Sequence, residues 1–237
     1  MSTYAILPIK GFEHAKQRLG EALSPGPRRA LAEAMYADVL TSLRRCRGLA
    51  GIAVITSDHT AQRIAGGHGA TVLEDPTPAA GRNAAAPDGP TPAAGHNAAA
   101  LAGIRMALQG GIARVLLIPG DCPLLDPREL EELLAGRPEH EHFAAIIPDR
   151  HGTGTNGLML SPPDAIEPAF GPDSCKRHEE RARAAEVPHA IVPVPTLALD
   201  VDTPDDLAAL RAELAARYGG AAHTRGMLSQ LARSHLR

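Results

Sequence analysis

The chain has 237 residues, a formal net charge of −3, no tryptophan, three phenylalanines and three tyrosines. This length suits a single domain with a full hydrophobic core. The negative net charge and the scarcity of aromatic rings argue against nucleic-acid binding. The sequence contains no run of about 20 apolar residues that would predict a membrane span. The three cysteines, Cys46, Cys122 and Cys175, are too widely spaced for a disulfide framework or a metal site, and they suit a cytoplasmic protein.

Short apolar runs alternate with longer helical patterns along the chain. The apolar runs predict strands over residues 4–9, 51–56, 70–73, 114–118, 143–147 and 157–160, with a last strand or two within 191–200. Helical periodicity and capping residues predict helices over residues 27–45, 59–65, 96–109, 126–135, 173–185 and 203–217. The alternation predicts an α/β fold in which helices cover both faces of a mostly parallel sheet.

One domain is predicted over residues 1–218, followed by a basic and loosely attached tail over residues 219–237. The sequence TPAAGRNAAA (77–86) returns 14 residues later as TPAAGHNAAA (91–100), which indicates a local duplication that lengthens a loop over residues 76–95. Because only the second copy runs into a predicted helix, its His96 and Asn97 are the candidates for a site.

The first candidate motif is LPIKG (residues 7–11), which follows the first predicted strand. Lys10, Lys16 and Arg18 place three cations within nine residues of this turn. A loop of this kind at the carboxyl end of a strand can wrap phosphate groups and neutralise their charge. The alternative is a solvated basic start to a helix.

Carboxylates follow two later apolar segments. Asp121 ends the most hydrophobic predicted strand, and Asp200 and Asp202 alternate on an extended segment, so that both can face the same side. A divalent cation that bridges phosphates needs such oxygen ligands on rigid elements. The alternative for Asp121 is an ordinary turn. Thr203 and Asp206 have the spacing of helix-capping residues, which explains them without a ligand.

The segment GTGTNG (residues 152–157) has the spacing of a dinucleotide-binding loop. That interpretation requires a helix after the glycines, whereas a predicted strand and Pro162-Pro163 follow, so we exclude it. What remains is a loop rich in hydrogen-bond donors. GPDS (residues 171–174) opens a predicted helix, and a helix N-terminus favours anions. Together they suit a small dianionic acid, although plain N-capping also explains Asp173 and Ser174.

These segments together resemble the CofC/FbiD family of guanylyltransferases, which serve the biosynthesis of coenzyme F-420. GTGT followed by FGPDS is the most specific part of the resemblance, while GDxPLL and DxDTP recur among nucleotidyltransferases with this type of sheet. The chain departs from the pattern in its duplication and in a His-rich insert at residues 139–142. The resembling pieces are LPIKGFEHAKQRL (7–19), GHNAA (95–99), IPGDCPLL (118–125), GTGTNGL (152–158), FGPDSCKRH (170–178) and LDVDTPDDL (199–207).

The resemblance implies a single-domain fold like that of glycosyltransferase type A enzymes and a Mg²⁺-dependent transfer of GMP from GTP to a small phosphorylated three-carbon acid. It implies the following roles: Lys16, Arg18 and Asp121 in catalysis; Asp121 with Asp200 or Asp202 as metal ligands; Thr155, Gly171 and Ser174 for the acceptor acid; and Leu7, Pro8, Lys10 and Asn97 for the nucleotide.

Phosphoenolpyruvate is the acceptor that the resemblance favours, and 2-phospho-L-lactate and 3-phosphoglycerate stay open. Guanine specificity rests on the resemblance alone. A molybdopterin, cytidylyl or sugar-phosphate nucleotidyltransferase, a transferase that uses a nucleotide sugar, and a non-catalytic nucleotide-binding module are the alternatives. A homodimer also stays open.

Overall fold

The computed structural model describes residues 2–76, 92–136 and 142–234. The strands are β1 (Thr3–Pro8), β2 (Gly51–Ile55), β3 (Thr71–Leu73), β4 (Arg114–Leu117), β5 (Phe143–Pro148), β6 (Thr155–Ser161) and β7 (His189–Ile191). The helices are α1 (Pro25–Arg45), α2 (His59–Gly67), α3 (Pro92–Gln109), α4 (Pro127–Ala135), α5 (Ser174–Ala184), α6 (Pro204–Ala216) and α7 (Ala222–Ser234). Most of the duplicated loop and of the insert at 139–142 lies outside the described residues. Every helix within these ranges is too short or too polar to pass through a lipid bilayer.

One sheet organises the described part of the chain. Its strand order is β3-β2-β1-β4-β6-β5-β7. β6 runs antiparallel to β4 and β5, and the other neighbouring strands are parallel. The predicted α/β fold with a mostly parallel sheet is therefore confirmed.

Helices cover both faces of this sheet, as the continuous apolar strands predict. Alternate residues of β1 serve different faces: Leu7 packs in the cluster that includes residues of α1 and α4, and Ile6 packs with residues of α3. Helix α3 lies so close to β1 that a Cβ atom on Gly103 would come 2.4 Å from Cγ2 of Ile6. A glycine at this position therefore sets the distance between the helix and the sheet.

The expectation of a loosely attached C-terminal tail is wrong for the residues that the structure describes. Residues 222–234 form α7, whose Leu228 and Leu231 are buried in a cluster with residues of α1 and α6. The buried carboxylate of Asp38, on α1, accepts hydrogen bonds from the backbone N–H groups of His223 (3.1 Å) and Thr224 (2.7 Å). The capping carboxylate precedes α7 by about 185 residues, so no local pattern could reveal it.

The prediction of a last strand or two within residues 191–200 is also wrong. The strand β7 ends at Ile191, and a 3₁₀ turn follows at Pro195–Leu197. Pro193 and Pro195 lack the N–H groups that would extend a ladder. Asp200 and Asp202 consequently lie on a loop. Helix α3 begins at Pro92 rather than at His96, since proline is accepted in a first helical turn.

We expect Asp38→Ala to lower the free energy of unfolding by about 1–2 kcal/mol, because two backbone N–H groups of α7 lose their acceptor. Hydrogen exchange should become faster in α7 before it does so in the sheet. Glu33→Ala on the same helix removes only a surface ion pair with Arg29 and is the control. Equal protection of α7 in both variants would contradict the anchoring role of Asp38.

Candidate active site

Segments from four strands meet at one edge of the sheet. β1, β3 and β4 run in the same direction, so the residues that follow them, including Lys10, Asp75 and Asp121, leave the sheet at its carboxyl edge. β6 runs the opposite way, so its first residue, Thr155, lies at the same edge. The topology thus gathers residues that are far apart in the sequence.

The first predicted motif contributes two buried residues at the end of β1 and one exposed cation. Leu7 and Pro8 are buried at the end of β1, and the Leu7 side chain belongs to the core. Lys10 extends from this edge, and its Nζ pairs with Oδ2 of the buried Asp75 at 2.8 Å. Sequence reasoning missed Asp75 because it follows a short strand and belongs to no recognisable motif.

Lys16 lies at the centre of the site. Its backbone is left-handed (φ 56°, ψ 41°) where the 3₁₀ turn Gln17–Glu21 begins. Its Nζ donates hydrogen bonds to Oδ2 of Asp121 and to Oδ1 of Asp202, the latter at 2.8 Å. Burial would lower the pKa of this ammonium, but the two carboxylates outweigh it and raise the pKa above its ordinary value. Arg18 is exposed and forms no ion pair with the residues that the structure describes.

Asp206 fixes the loop that carries Asp202. Its Oδ2 accepts hydrogen bonds from the backbone N–H groups of Asp202 (3.1 Å) and Thr203 (2.7 Å), and Thr203 Oγ1 caps α6 in return. Burial would raise the pKa of Asp206, but these hydrogen bonds and the ion pair with Arg150 lower it. The predicted capping spacing is confirmed, and it also holds Asp202 in place beside Lys16.

Asp121 and Asp202 form a carboxylate pair that fits a divalent cation. Oδ1 of Asp121 is buried and has no hydrogen-bond partner in the described part of the chain, so it can serve as a metal ligand. Asp200 has a different partner, since its Oδ1 accepts a hydrogen bond from Nδ2 of Asn156 at 3.0 Å. Burial, with a further effect of the Asp121 charge, raises the pKa of Asp200. No group of three or more His, Cys, Asp or Glu side chains is placed to hold a metal among the described residues.

The predicted acceptor residue Thr155 contacts a buried histidine. Nε2 of His178 accepts a hydrogen bond from the backbone N–H of Ala169 (2.8 Å), so the proton of the neutral ring is on Nδ1. Nδ1 lies 3.0 Å from Oγ1 of Thr155 and donates to it. The Thr155 hydroxyl proton is therefore left to donate elsewhere. Burial, helped by the charges of Arg181 and Arg177, lowers the pKa of His178 to about 4.

Asn97 joins the start of α3 to the segment before α5. Its Oδ1 accepts from the backbone N–H of Phe170 (2.8 Å), and its Nδ2 donates to the Phe170 carbonyl (3.2 Å). The Phe170 ring lies between two histidine rings, with centroids 5.0 Å from His96 and 5.1 Å from His178. The side chain of Asn97 thus clamps the Phe170 backbone through two hydrogen bonds. Burial lowers the pKa of His96 to about 4.

Gly171 and Ser174 follow this clamp at the start of α5. Gly171 has a φ of +119°, and a Cβ atom on it would lie 3.0 Å from Cβ of Ala93 and 3.1 Å from Nη2 of Arg177. Ser174 is buried, and its N–H donates to the Gly171 carbonyl at 3.2 Å. Asp173 precedes α5 in a left-handed conformation and forms no side-chain cap, so capping does not account for it.

The chain matches the family model described as guanylyl transferase CofC like over residues 3–85 and 98–232. The chain belongs to this family. A phosphoenolpyruvate guanylyltransferase from Conexibacter woesei is 52% identical over 236 residues, which cover 99% of each chain. One from Sphaerobacter thermophilus is 35% identical over 211 residues, which cover 87% of this chain and 91% of the relative.

Solved structures support the fold class. A nucleotidyl transferase from Methanothermobacter superposes with a TM-score of 0.60 at 17% sequence identity, covering 90% of this chain and 97% of that one. At this level of identity the likeness concerns the fold alone. The nucleotidyltransferase architecture that the resemblance implies is therefore confirmed.

His178 gives the stability of the protein a predictable pH dependence. Its pKa is about 4 in the folded state against 6.5 for an ordinary histidine, so the unfolded chain binds more protons between these values. The stability from this site is fully present above pH 6.5 and is lost as the pH falls towards 4. We expect His178→Gln to reduce the slope of unfolding free energy against pH by about 1.4 kcal/mol per pH unit in this range.

Chemical denaturation at a series of pH values measures this slope. His59→Gln, which changes an exposed histidine on α2, is the control and should leave the slope as in the wild type. A slope that is the same in His178→Gln and the wild type would mean that folding does not lower the pKa of His178.

Proposed function

We propose that this protein transfers GMP from GTP to phosphoenolpyruvate, which yields enolpyruvoyl-2-diphospho-5′-guanosine and pyrophosphate in the biosynthesis of coenzyme F-420. Support comes from the relatives named phosphoenolpyruvate guanylyltransferase, which the chain matches over most of its length. The observation that carries the proposal is the Lys16 ammonium between Asp121 and Asp202. This cluster lies at the carboxyl edge of the sheet, which is where open α/β sheets bind their ligands.

The reaction joins two polyanions, so the main obstacle is charge. An oxygen of the acceptor phosphate attacks the α-phosphorus of GTP, a new P–O bond forms, and the bond to the β-phosphate oxygen breaks with its electron pair leaving on pyrophosphate. The nucleophile is already an anion, so no strong general base is needed. Catalysis then consists of positioning and charge neutralisation.

The residues divide this work between them. Lys16 supplies a fixed positive charge, and Arg18, exposed beside it, offsets the charge that develops on pyrophosphate. Asp121 and Asp202 would hold Mg²⁺, which would supply positive charge against the repulsion between the phosphates. Asp200, whose Oδ1 accepts a hydrogen bond from Asn156, is the less suitable metal ligand of the two candidates in this loop.

The two substrates approach from different sides of the cluster. The edge formed by Leu7, Pro8 and Lys10 lines the nucleotide side. Asn97 contributes by holding the Phe170 backbone, which leads into the acceptor residues Gly171 and Ser174. The hydroxyl of Thr155, the backbone at Gly171 and the start of α5 at Ser174 bind the acceptor acid.

The first test offers the purified protein Mg²⁺ and GTP with phosphoenolpyruvate, 2-phospho-L-lactate or 3-phosphoglycerate in separate reactions, and measures released pyrophosphate. ATP and CTP replace GTP in parallel reactions, and ³¹P NMR identifies the diphosphate product. We expect turnover with GTP and phosphoenolpyruvate. Preference for another acid or base would replace that substrate in the proposal, and GTP binding without turnover in any reaction would refute catalysis.

We expect Asp121→Ala to reduce kcat by at least about 100-fold while the fold is retained, because the variant loses both the carboxylate beside Lys16 and its buried free oxygen. Pyrophosphate release measures kcat, and circular dichroism checks the fold. Asp205→Ala, which removes an exposed carboxylate from the first turn of α6, is the matched control. Near-normal pyrophosphate release by Asp121→Ala would overturn the assignment of the metal site.

A further inference from the structure

One cation next to the acceptor residues has no anionic partner within the described part of the chain. Nε and Nη2 of Arg177 are buried and make no hydrogen bond there. Buried guanidinium N–H groups are costly to leave unmatched, and nearly all buried polar atoms in folded proteins have a partner. A ligand that supplies oxygen atoms accounts for this exception.

The other basic side chains of α5 differ from Arg177 in this respect. Lys176 pairs with Glu180 at 3.8 Å, Arg181 with Glu167 at 3.5 Å, and Arg183 with Glu179 at 2.8 Å. The acidic residues of α5, Glu179 and Glu180, are therefore committed to neighbours, and Asp173, four residues before Arg177, forms no ion pair with it in the described part of the chain. Arg177 occupies the first turn of α5, where the helix terminus adds to its positive potential.

Arg177 lies against the residues that the proposed function assigns to the acceptor. A Cβ atom on Gly171 would lie only 3.1 Å from Nη2 of Arg177. The glycine therefore leaves room for the guanidinium beside the backbone. The charge of Arg177 is close enough to His178 to help lower the pKa of that ring, and His178 in turn donates to the hydroxyl of Thr155. Arg177 is thus in direct contact with Gly171 and is linked to Thr155 through His178.

Two anionic groups of the acceptor have to be matched. The proposed reaction requires the phosphate to face the α-phosphorus of GTP, on the side of Lys16 and Asp121. The carboxylate is the second anion, and a guanidinium fork suits the two oxygens of a carboxylate. We infer that Arg177 binds the carboxylate of the phosphoacid and so selects acceptors that carry one. This inference rests on the proposed function.

The test compares Arg177→Gln with the wild type in steady-state kinetics. We expect KM for phosphoenolpyruvate to rise roughly 10- to 100-fold, as for the loss of a charged hydrogen bond, while KM for GTP changes by less than about twofold. Arg177→Lys keeps the charge but lacks the planar guanidinium, so its KM for phosphoenolpyruvate should lie between those of the wild type and Arg177→Gln. Lys176→Gln removes the same charge from an exposed neighbour and is the control.

An analogue distinguishes the two anionic groups. Vinyl phosphate keeps the phosphate and the double bond but lacks the carboxylate, so its inhibition constant should be the same for Arg177→Gln and the wild type. A parallel loss of affinity for vinyl phosphate would assign Arg177 to the phosphate and overturn the inference. An unchanged KM for phosphoenolpyruvate in Arg177→Gln would overturn it as well.

Thermal unfolding separates ligand binding from a structural role. Without ligands, Arg177→Gln should be at least as stable as the wild type, because the two buried N–H groups have no hydrogen-bond partner to lose. With Mg²⁺ and a GTP analogue that has a methylene α,β-bridge, phosphoenolpyruvate should raise Tm of the wild type but not of Arg177→Gln. A large drop in Tm of the unliganded variant, or equal stabilisation of both proteins by phosphoenolpyruvate, would refute the inference.

The same melting experiment distinguishes failure of the inference from failure of the proposed function. A wild type that is stabilised by phosphoenolpyruvate yet releases no pyrophosphate would refute the proposed reaction and leave the role of Arg177 supported by the loss of stabilisation in Arg177→Gln. A wild type that turns over with an Arg177→Gln variant of equal KM would refute only the role of Arg177.

Discussion

The buried ammonium of Lys16 joins three segments that are far apart in the chain, because Asp121 and Asp202 both accept hydrogen bonds from it. Taking a charge out of water is costly, and the Lys16 side chain is only 8% exposed, so its ammonium depends on the two carboxylates, which themselves stay 28% and 45% exposed. The segments after β1, after β4 and before α6 must therefore come together for the folded state to be stable. The arrangement that satisfies Lys16 also brings two carboxylates close enough to share one cation.

The rest of the site is built to keep that cluster in register with the start of α5. Asp206 holds the backbone of Asp202, while Asn97 holds both backbone groups of Phe170. His178 then fixes the direction in which the Thr155 hydroxyl can donate. These contacts join partly or fully buried polar groups in networks of hydrogen bonds, which restricts their movement. A rigid site matters for this reaction because its rate depends on aligning two polyanions. The nucleophile is already an anion, so a general base could not compensate for poor alignment.

Much of this fold could be predicted from the sequence because its strands are apolar on both faces and its helices have clear periodicity. The capping pair Thr203 and Asp206 was also readable, since its signal is local. The contacts that escaped prediction join distant segments: the Asp38 cap on α7, the bond between Asn156 and Asp200, and the clamp of Asn97 on Phe170. Such pairs depend on the tertiary fold, and each residue alone resembles an ordinary surface polar group.

The site residues divide in the same way. Lys16, Asp121 and Asp202 follow predicted strands or open predicted helices, and the structure brings them together. Asp200 alternates with Asp202 in the sequence as if both faced one side, yet the loop conformation after Pro195 turns it to Asn156. Arg177 lies within a motif that the sequence singles out, but its unmatched N–H groups become visible only once burial is known.

The most direct test of the central claim uses electron paramagnetic resonance to measure the binding of Mn²⁺·GTP to the protein. Mn²⁺ serves as a paramagnetic substitute for Mg²⁺ in this complex. The wild type, Asp202→Asn and Asp200→Asn are compared at equal concentrations. If Asp121 and Asp202 form the cation site, Asp202→Asn should bind the complex at least about tenfold more weakly, and Asp200→Asn should stay close to the wild type. Wild-type affinity in Asp202→Asn, or a larger loss in Asp200→Asn, would contradict the account.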